Sequence, residues 1–183
     1  MIRRIWIVTV GLALLPATVP AQTAPAAPTV THPATQAVKA QFEMIKGVLN
    51  KTAAKVGEEL YSFKPTPEVR SVGQLIGHIA DSQFGMCAAA AGQQPPQSGI
   101  EKGKTSKAEL SKALADSSAY CDTVLAGMND AKGMESVKFF TGPTPRLFVL
   151  TFNIAHSYEH YGNLVTYMRL KGIVPPSSET SSR

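Results

Sequence analysis

Three histidines at helical spacing are the residues of this sequence best suited to chemistry. His156 and His160 are four positions apart, so on a helix their side chains lie on one face, one turn apart. His78 lies in another segment and would add a third imidazole. Three nitrogen ligands with open positions for water or substrate form a catalytic zinc site, and imidazole also suits nickel, copper and iron. The pattern predicts a divalent-metal site, with ordinary hydrogen-bonded core histidines as the alternative.

Four helical segments must position these histidines. Apolar residues recur at three-, four- and seven-residue spacings in the first segment, and loops with glycine or proline follow all four. Two helix starts match the capping-box pattern, in which a hydroxyl and a side chain three residues later satisfy free backbone donors: Ser71 with Gln74, and Ser106 with Glu109. A third start has Thr144 as the N-cap, followed by a proline. The predicted helices span 35–60, 71–91, 106–128 and 144–171.

The absence of a strand pattern predicts an all-α fold, specifically a four-helix bundle. The connection between the second and third helices, 92–105, is longer than a bundle usually needs. A crossover along the bundle would use that length and leave these two helices parallel. Cys87 and Cys121 lie at nearly the same distance from the starts of these helices, which favours a disulfide between them. Two buried free thiols are the alternative.

The N-terminus has the features of a signal peptide over residues 1–21. Arg3 and Arg4 precede an apolar run at 5–15, and small residues at 19–21 offer a cleavage site. The run is too short for a membrane span, although a retained N-terminal anchor is the alternative. We therefore expect a periplasmic or secreted protein in an oxidising compartment, with no transmembrane segment after cleavage.

Composition limits the remaining possibilities. Cleavage of the signal peptide would lower the net charge from +5 to +3, and no basic stripe alternates with aromatic residues, so we expect no nucleic-acid partner. The densest lysine stretch, 102–112, is predicted to be a solvated face. An Ala/Pro/Thr linker at 22–34, which contains His32, a single bundle domain at 35–176 and a disordered tail at 177–183 complete the predicted organisation.

Polar faces on two predicted helices indicate a recess around the histidines. Small and polar residues surround His78, and Cys87 falls on the opposite, apolar side, so the two cannot share a metal. Three polar residues on these faces are predicted to orient a small-molecule substrate, and Asp81 is a candidate partner for the His78 ring, with plain solvation as the alternative. The predicted substrate-binding residues are Gln74, Asn153 and Tyr167.

The segment from His156 to His160 also matches the H-x-x-E-H pattern of inverted zinc peptidases, in which the glutamate is the general base. Those enzymes take a third, acidic ligand from farther along the chain. After His160 the sequence offers only Glu179, in a serine-rich tail. The motif is therefore weak, and Glu159 is predicted to be an outer or surface group.

Three stretches of this sequence together resemble the DinB-like superfamily (DNA-damage-inducible protein B, also called the YfiT group). They are 63–80, which contains His78, the His156-x-x-x-His160 pair, and 170–176. The resemblance covers about 35–176. It implies an up-down-down-up four-helix bundle and a divalent metal, often nickel or zinc, held by the three histidines. Dimers are common in this superfamily.

Family activities implied by the resemblance include S-transfer that uses bacillithiol, mycothiol or glutathione, and mycothiol-dependent maleylpyruvate isomerisation. We therefore predict an exported metal-dependent hydrolase or transferase. The alternative is a helical bundle that binds a metal or a small ligand without catalysis.

Overall fold

The computed structural model describes residues 30–179, which are mainly helical. The predicted all-α class is confirmed, with four long helices and a small two-stranded sheet. The predicted signal peptide and most of the predicted linker lie outside the described residues. Short 3-10 turns occur at Glu58–Leu60 and Pro176–Ser178. The helices are α1 (Pro33–Lys55), α2 (Val72–Ala91), α3 (Ile100–Gly103), α4 (Lys107–Ala126), α5 (Asp130–Gly133) and α6 (Arg146–Leu170), and the strands are β1 (Ser136–Phe139) and β2 (Gly142–Pro145).

The two predicted capping boxes differ in the structure. At the start of α2, the Ser71 hydroxyl accepts from the Gln74 backbone N–H at 3.2 Å, and the Ser71 N–H donates to the Gln74 side chain at 2.9 Å. At the start of α4, the Ser106 hydroxyl accepts from the Glu109 N–H at 3.3 Å and donates to the Glu109 carboxylate at 2.7 Å. The Glu109 carboxylate thus bonds the capping hydroxyl instead of the backbone N–H of Ser106, so only half of the second capping box forms.

Helices α2 and α4 run parallel and are joined by a disulfide. Gln83 accepts from the Ser117 hydroxyl at 2.8 Å, and one turn farther along both helices Cys87 is bonded to Cys121. Since both contacts advance by four residues in each helix, the two helices point in the same direction. Both cysteines are fully buried, and the pairing excludes the alternative of two free thiols.

Helices α1 and α6 run opposite to α2 and α4. Arg146, at the start of α6, donates to the carbonyl of Ala90 near the end of α2, at 2.6 Å. At the other end, the Tyr167 hydroxyl donates to the carbonyl of Arg70, just before α2, at 3.1 Å. Helices α1 and α4 are antiparallel in the same way. Lys46 of α1 contacts Asp122 near the end of α4, and the carbonyl of Ala54 at the end of α1 accepts from Lys107 at the start of α4.

The core lies between these four helices, and each of them contributes a buried apolar stripe. Burial of such side chains is the main favourable contribution to folding. No helix among the described residues is long and apolar enough to cross a membrane. The largest fully buried apolar side chains include Phe42, Ile45 and Leu49 of α1, Leu75, Ile76 and Ile79 of α2, Leu110 and Leu114 of α4, and Leu150 and Leu164 of α6.

The segment before α6 corrects two predictions. Residues 136–145 form an antiparallel hairpin in which Ser136 pairs with Pro145 and Phe139 with Gly142, whereas no strand was predicted. Thr144 therefore lies in β2 and caps nothing, and Pro145 is the N-cap of α6 without a side-chain cap. Prolines at 143 and 145 argue against a strand in the sequence, because proline has no N–H to donate to the hydrogen bonds between strands.

Two boundaries also differ from the prediction. Helix α1 ends at Lys55, earlier than the predicted residue 60, and its continuation becomes a 3-10 turn. Residues 177–179, which the prediction includes in a disordered tail, make tertiary contacts: the Ser177 N–H donates to the Tyr161 hydroxyl at 3.0 Å, and Glu179 pairs with Lys55. Residues 180–183 lie outside the described residues.

Candidate metal centre

The three predicted histidines converge between the middle of α2 and the middle of α6. The Nε2 atom of His156 lies 3.2 Å from Nε2 of His78 and 3.0 Å from Nε2 of His160. One ring nitrogen from each residue lies within 4.8 Å of the other two. The i, i+4 spacing on α6 and the antiparallel packing of α2 thus direct three nitrogens to one point.

These separations suit ligands of a single divalent ion. Two nitrogens about 2.0–2.1 Å from one ion lie about 3.0 Å apart at a right angle and about 3.4 Å apart at the tetrahedral angle. The observed 3.0 and 3.2 Å fall in this range. If each ring carries its proton on Nδ1, three Nε2 lone pairs face one another, which is unfavourable without a cation between them. The donor set therefore fits a zinc or nickel ion.

Glu101 orients the His78 ring. Its carboxylate oxygen Oε2 lies 2.9 Å from Nδ1 of His78, and Oε1 accepts from Nε of Arg70 at 2.8 Å. A carboxylate accepts only, so Nδ1 carries the proton and Nε2 keeps its lone pair for a metal. Burial tends to raise the pKa of the Glu101 carboxyl, but the Arg70 and His78 groups that donate to it hold the pKa below its usual value.

Asp81 has a different role from the predicted one. Instead of contacting His78, its two carboxylate oxygens accept from the backbone N–H groups of Ile100 and Glu101, each at 2.9 Å. These contacts fix α3 against α2. Asp81 therefore supports His78 indirectly, because it holds the backbone that carries Glu101.

Gly77 allows α3 to approach α2 this closely. A Cβ atom at position 77 would lie 2.8 Å from Cα and 3.1 Å from the backbone nitrogen of Glu101. Both neighbours are backbone atoms, which cannot rotate away as a flexible side chain does. The glycine beside His78 is thus needed to bring the Glu101 carboxylate within reach of the ring.

We expect Gly77→Ala to displace α3 and to destabilise the protein by about 1–3 kcal/mol, as overpacking of a tight contact usually does. Urea denaturation measures this change in the free energy of unfolding. Gly85→Ala is the matched control on the same helix, since a Cβ atom there meets nothing within 4 Å and alanine favours the helix by up to about 1 kcal/mol. Equal stabilities for the two variants would contradict the assigned role of Gly77.

The other two rings are held less completely. The side-chain amide of Asn163 lies 3.4 Å from Nδ1 of His160, and it accepts from an Nδ1–H if its nitrogen and oxygen are exchanged. Nδ1 of His156 is buried and has no hydrogen-bond partner among the described residues. Burial, followed by the neighbouring imidazoles, lowers the pKa of His156 and lowers that of His160 to about 4. Both rings are therefore neutral at pH 7, the form that binds metals.

An open recess of about 650 Å³ reaches His160 from solvent. We call it the histidine recess. Two predicted substrate-binding residues line it: Gln74 at the start of α2, and Tyr167, whose hydroxyl bonds the Arg70 carbonyl at 3.1 Å. Other polar or charged lining residues are Lys64, Glu68, Arg70, Glu101, Glu159 and Asn163. The lining thus provides both hydrogen-bond donors and acceptors for a ligand.

The third predicted substrate-binding residue, Asn153, lies elsewhere. Its side chain is 1% exposed, and its Nδ2 atom is 3.6 Å from Sγ of Cys87 and 3.8 Å from Sγ of Cys121. It does not line the histidine recess. Helical spacing placed Asn153 on the face of His156, but this end of the face packs against the disulfide.

Of two glutamates near the histidines, the sequence motif singles out Glu159, whereas the one that contacts His78 is Glu101. Glu159 lines the histidine recess, but it makes no hydrogen bond to a histidine within the described range. Glu101, which does make one, is in the long connection and belongs to no periodic pattern. The glycine directly before His78 was the available signal, because a helix glycine often marks a close backbone approach.

We expect Glu101→Gln to weaken metal binding about 10- to 100-fold, because outer carboxylates of metal-binding histidines usually contribute that much. Isothermal titration calorimetry with nickel or zinc measures the affinity. Glu58→Gln, an exposed change on the 3-10 turn after α1, should leave the affinity unchanged. Equal affinity in the Glu101 variant and the parent would show that this carboxylate does not support His78.

Comparisons with known proteins agree on one family. The model of the DinB superfamily matches residues 41–164, more than half of the chain. Among solved structures, the chain is similar to a DinB-like protein from Bacillus cereus, with 17% identity, a TM-score of 0.67 and coverage of 77% of this chain and 95% of that one. It is also similar to a DinB-like protein from Bacillus subtilis, with 21% identity, a TM-score of 0.64 and coverage of 79% and 99%.

A conserved protein from Enterococcus faecalis shows the same fold at 21% identity, with a TM-score of 0.62 and coverage of 74% of this chain and 95% of that one. No curated protein matches this sequence. At these identities the solved structures support the fold alone.

Proposed function

The chain belongs to the DinB superfamily, and from that premise and the convergence of its histidines we propose that it is a metal-dependent enzyme, a hydrolase or a transferase. The observation that carries the proposal is the convergence of three histidine rings: Nε2 of His156 lies 3.2 Å from Nε2 of His78 and 3.0 Å from Nε2 of His160, and one ring nitrogen of each residue lies within 4.8 Å of the others. In this proposal His78, His156 and His160 hold one divalent ion, zinc or nickel, whose remaining positions face the histidine recess.

The surrounding side chains have distinct roles in this proposal. Glu101 keeps the proton of His78 on Nδ1, and Asn163 supports His160. Gln74 and Tyr167 line the histidine recess and orient the substrate, whereas the position of Asn153 gives that residue a structural role beside the disulfide. A divalent ion held there would act as a Lewis acid toward a water molecule, a thiol or a carbonyl group of the substrate.

We further propose that the protein acts outside the cytoplasm, in the periplasm or after secretion. A disulfide between buried cysteines is typical of proteins that fold in an oxidising compartment. The features of a signal peptide at 1–21 support the same conclusion. A homodimer remains a prediction of the family resemblance.

One observation favours a second candidate function, a bundle that binds a metal or a small ligand without catalysis. The carboxylate in contact with the histidines, Glu101, already accepts from Arg70 and His78. It is therefore not free to take a proton from a substrate. Glu68 and Glu159 are the other carboxylates that line the histidine recess, and neither forms a hydrogen bond to a histidine among the described residues.

A turnover screen on the zinc- or nickel-loaded protein separates these two functions. Thiol-transfer, ester and amide substrates are tested beside a His156→Ala variant, which serves as the background control. Turnover by the parent that the variant lacks would support the enzyme. Stoichiometric metal with no turnover on any substrate class would favour the binding protein.

A further inference from the structure

A second recess of about 600 Å³ continues from the histidine recess and carries lysines. Lys64, Gln74 and Glu101 line both recesses, so the two share a border. Beyond that border the wall includes Lys102 and Lys104. We call this second recess the lysine arm. The structure thus brings Lys102 and Lys104, which were predicted to lie on a solvated face, together with Lys64.

The charge of the lysine arm is unbalanced. Its only acidic lining residue is Glu101, which is already paired with Arg70. Among the residues that the structure describes, no carboxylate forms an ion pair with Lys64, Lys102 or Lys104. The Lys64 ammonium donates to the carbonyl of Pro67 at 2.8 Å, which keeps it at the border of the two recesses.

Neutral donors accompany these cations. Ser62 and Thr105 are exposed residues of the lysine arm, and hydroxyl groups together with ammonium groups are typical partners of carboxylate and phosphate. Lys104 also lies near Glu109, whose carboxyl has its pKa lowered by the Ser106 hydroxyl and, more weakly, by Lys104. Glu109 does not line the arm, so the arm itself keeps an excess of positive charge.

The position of the arm is fixed by the same contacts that build the metal centre. Lys102 directly follows Glu101 on α3, and Asp81 and Gly77 hold α3 against α2. Glu101, which orients His78, and Lys102, which would attract an anion, are therefore both carried on the short helix α3. A ligand that reaches from His160 past Glu101 therefore meets the lysines of the arm.

We propose that the substrate carries an anionic group, a carboxylate or a phosphate, which the lysine arm binds while the reacting part lies beside the three histidines. This inference rests on the proposed function, since it assumes chemistry at the histidines. It narrows the substrate class to small anionic molecules long enough to span the border at Glu101.

The test uses hydroxamic acids, which bind metal ions, on the zinc- or nickel-loaded protein. One series carries a carboxylate tail, a second a phosphonate tail, and a third the neutral methyl ester, each in increasing chain length. Calorimetry should show that one anionic series binds about tenfold more tightly than the ester, because each exposed ion pair adds a modest gain and the lysine arm offers more than one. Whichever of the carboxylate and phosphonate series binds more tightly identifies the preferred anion.

The lysines are tested by a double substitution. Lys102→Ala with Lys104→Ala should remove the advantage of the anionic tail, and added salt should reduce it. Lys51→Ala with Lys112→Ala removes two exposed lysines outside both recesses and should preserve the advantage. Equal affinity of the ester and both anionic series in the metal-loaded parent would overturn the inference alone. Failure of the ester itself to bind the metal-treated parent would overturn the proposed function and the inference with it.

Discussion

Replacing His156 with alanine is expected to lower the affinity for nickel or zinc by more than about a hundredfold, because outer partners of metal ligands alone contribute 10- to 100-fold. Nε2 of His156 is the central atom of the cluster, close to both other Nε2 atoms. Its removal would leave only two histidine nitrogens, those of His78 and His160, to hold the ion. Competition against a chromophoric chelator measures the affinity over this wide range.

The same variant should lose stabilisation by the metal. A ligand that binds only the folded protein stabilises it by about 2.7 kcal/mol at a concentration one hundred times its Kd. Nickel or zinc should therefore raise the unfolding midpoint of the parent and leave that of His156→Ala unchanged. His32→Ala is the matched control, since His32 lies before α1, away from the cluster. An equal response of the two variants to metal would contradict the site.

Opening the Cys87–Cys121 disulfide is expected to cost about 3–4 kcal/mol of unfolding free energy. The value follows from the sequence separation of 34 residues and the loss of loop-closure entropy in the unfolded chain. Urea denaturation of the oxidised protein and of the protein reduced with dithiothreitol measures it directly. An unchanged midpoint after complete reduction would show that the bond contributes nothing to stability.

The double variant Cys87→Ala/Cys121→Ala separates the bond from the packing of the sulfur atoms. Both sulfurs are fully buried and lie beside Nδ2 of Asn153. The variant should therefore be somewhat less stable than the reduced parent, because it also loses buried volume. The bond involves none of the three histidines, so metal affinity at low temperature should survive reduction.

Periodicity was sufficient to predict the four long helices and to place His156 and His160 on one helix face. The i, i+4 pair on α6 and the capping box at Ser71 are local patterns, and a local pattern is readable in a single sequence. The pairing of Cys87 with Cys121 followed from the parallel direction that the long connection implies. The histidine pair and the capping box depend only on residues three or four positions apart, and the disulfide depends on the length of one loop.

Glu101 could not be found in the same way. Its contact with His78 depends on a close backbone approach at Gly77 and on the Asp81 carboxylate that holds α3. These are tertiary contacts within an irregular connection. Its position one turn from His78 on the same helix makes Asp81 a candidate partner of that ring, but its side chain bonds the backbone of α3 instead. Helical spacing defines a face, whereas the partner of each group on that face is set by packing.

The most direct test of the metal centre is the metal content of the purified protein. Inductively coupled plasma mass spectrometry is performed on protein prepared without a polyhistidine tag, beside His78→Ala and His156→Ala variants. We predict close to one nickel or zinc ion per chain in the parent and none in either variant. A folded parent that contains no metal and binds neither added nickel nor added zinc would contradict the account.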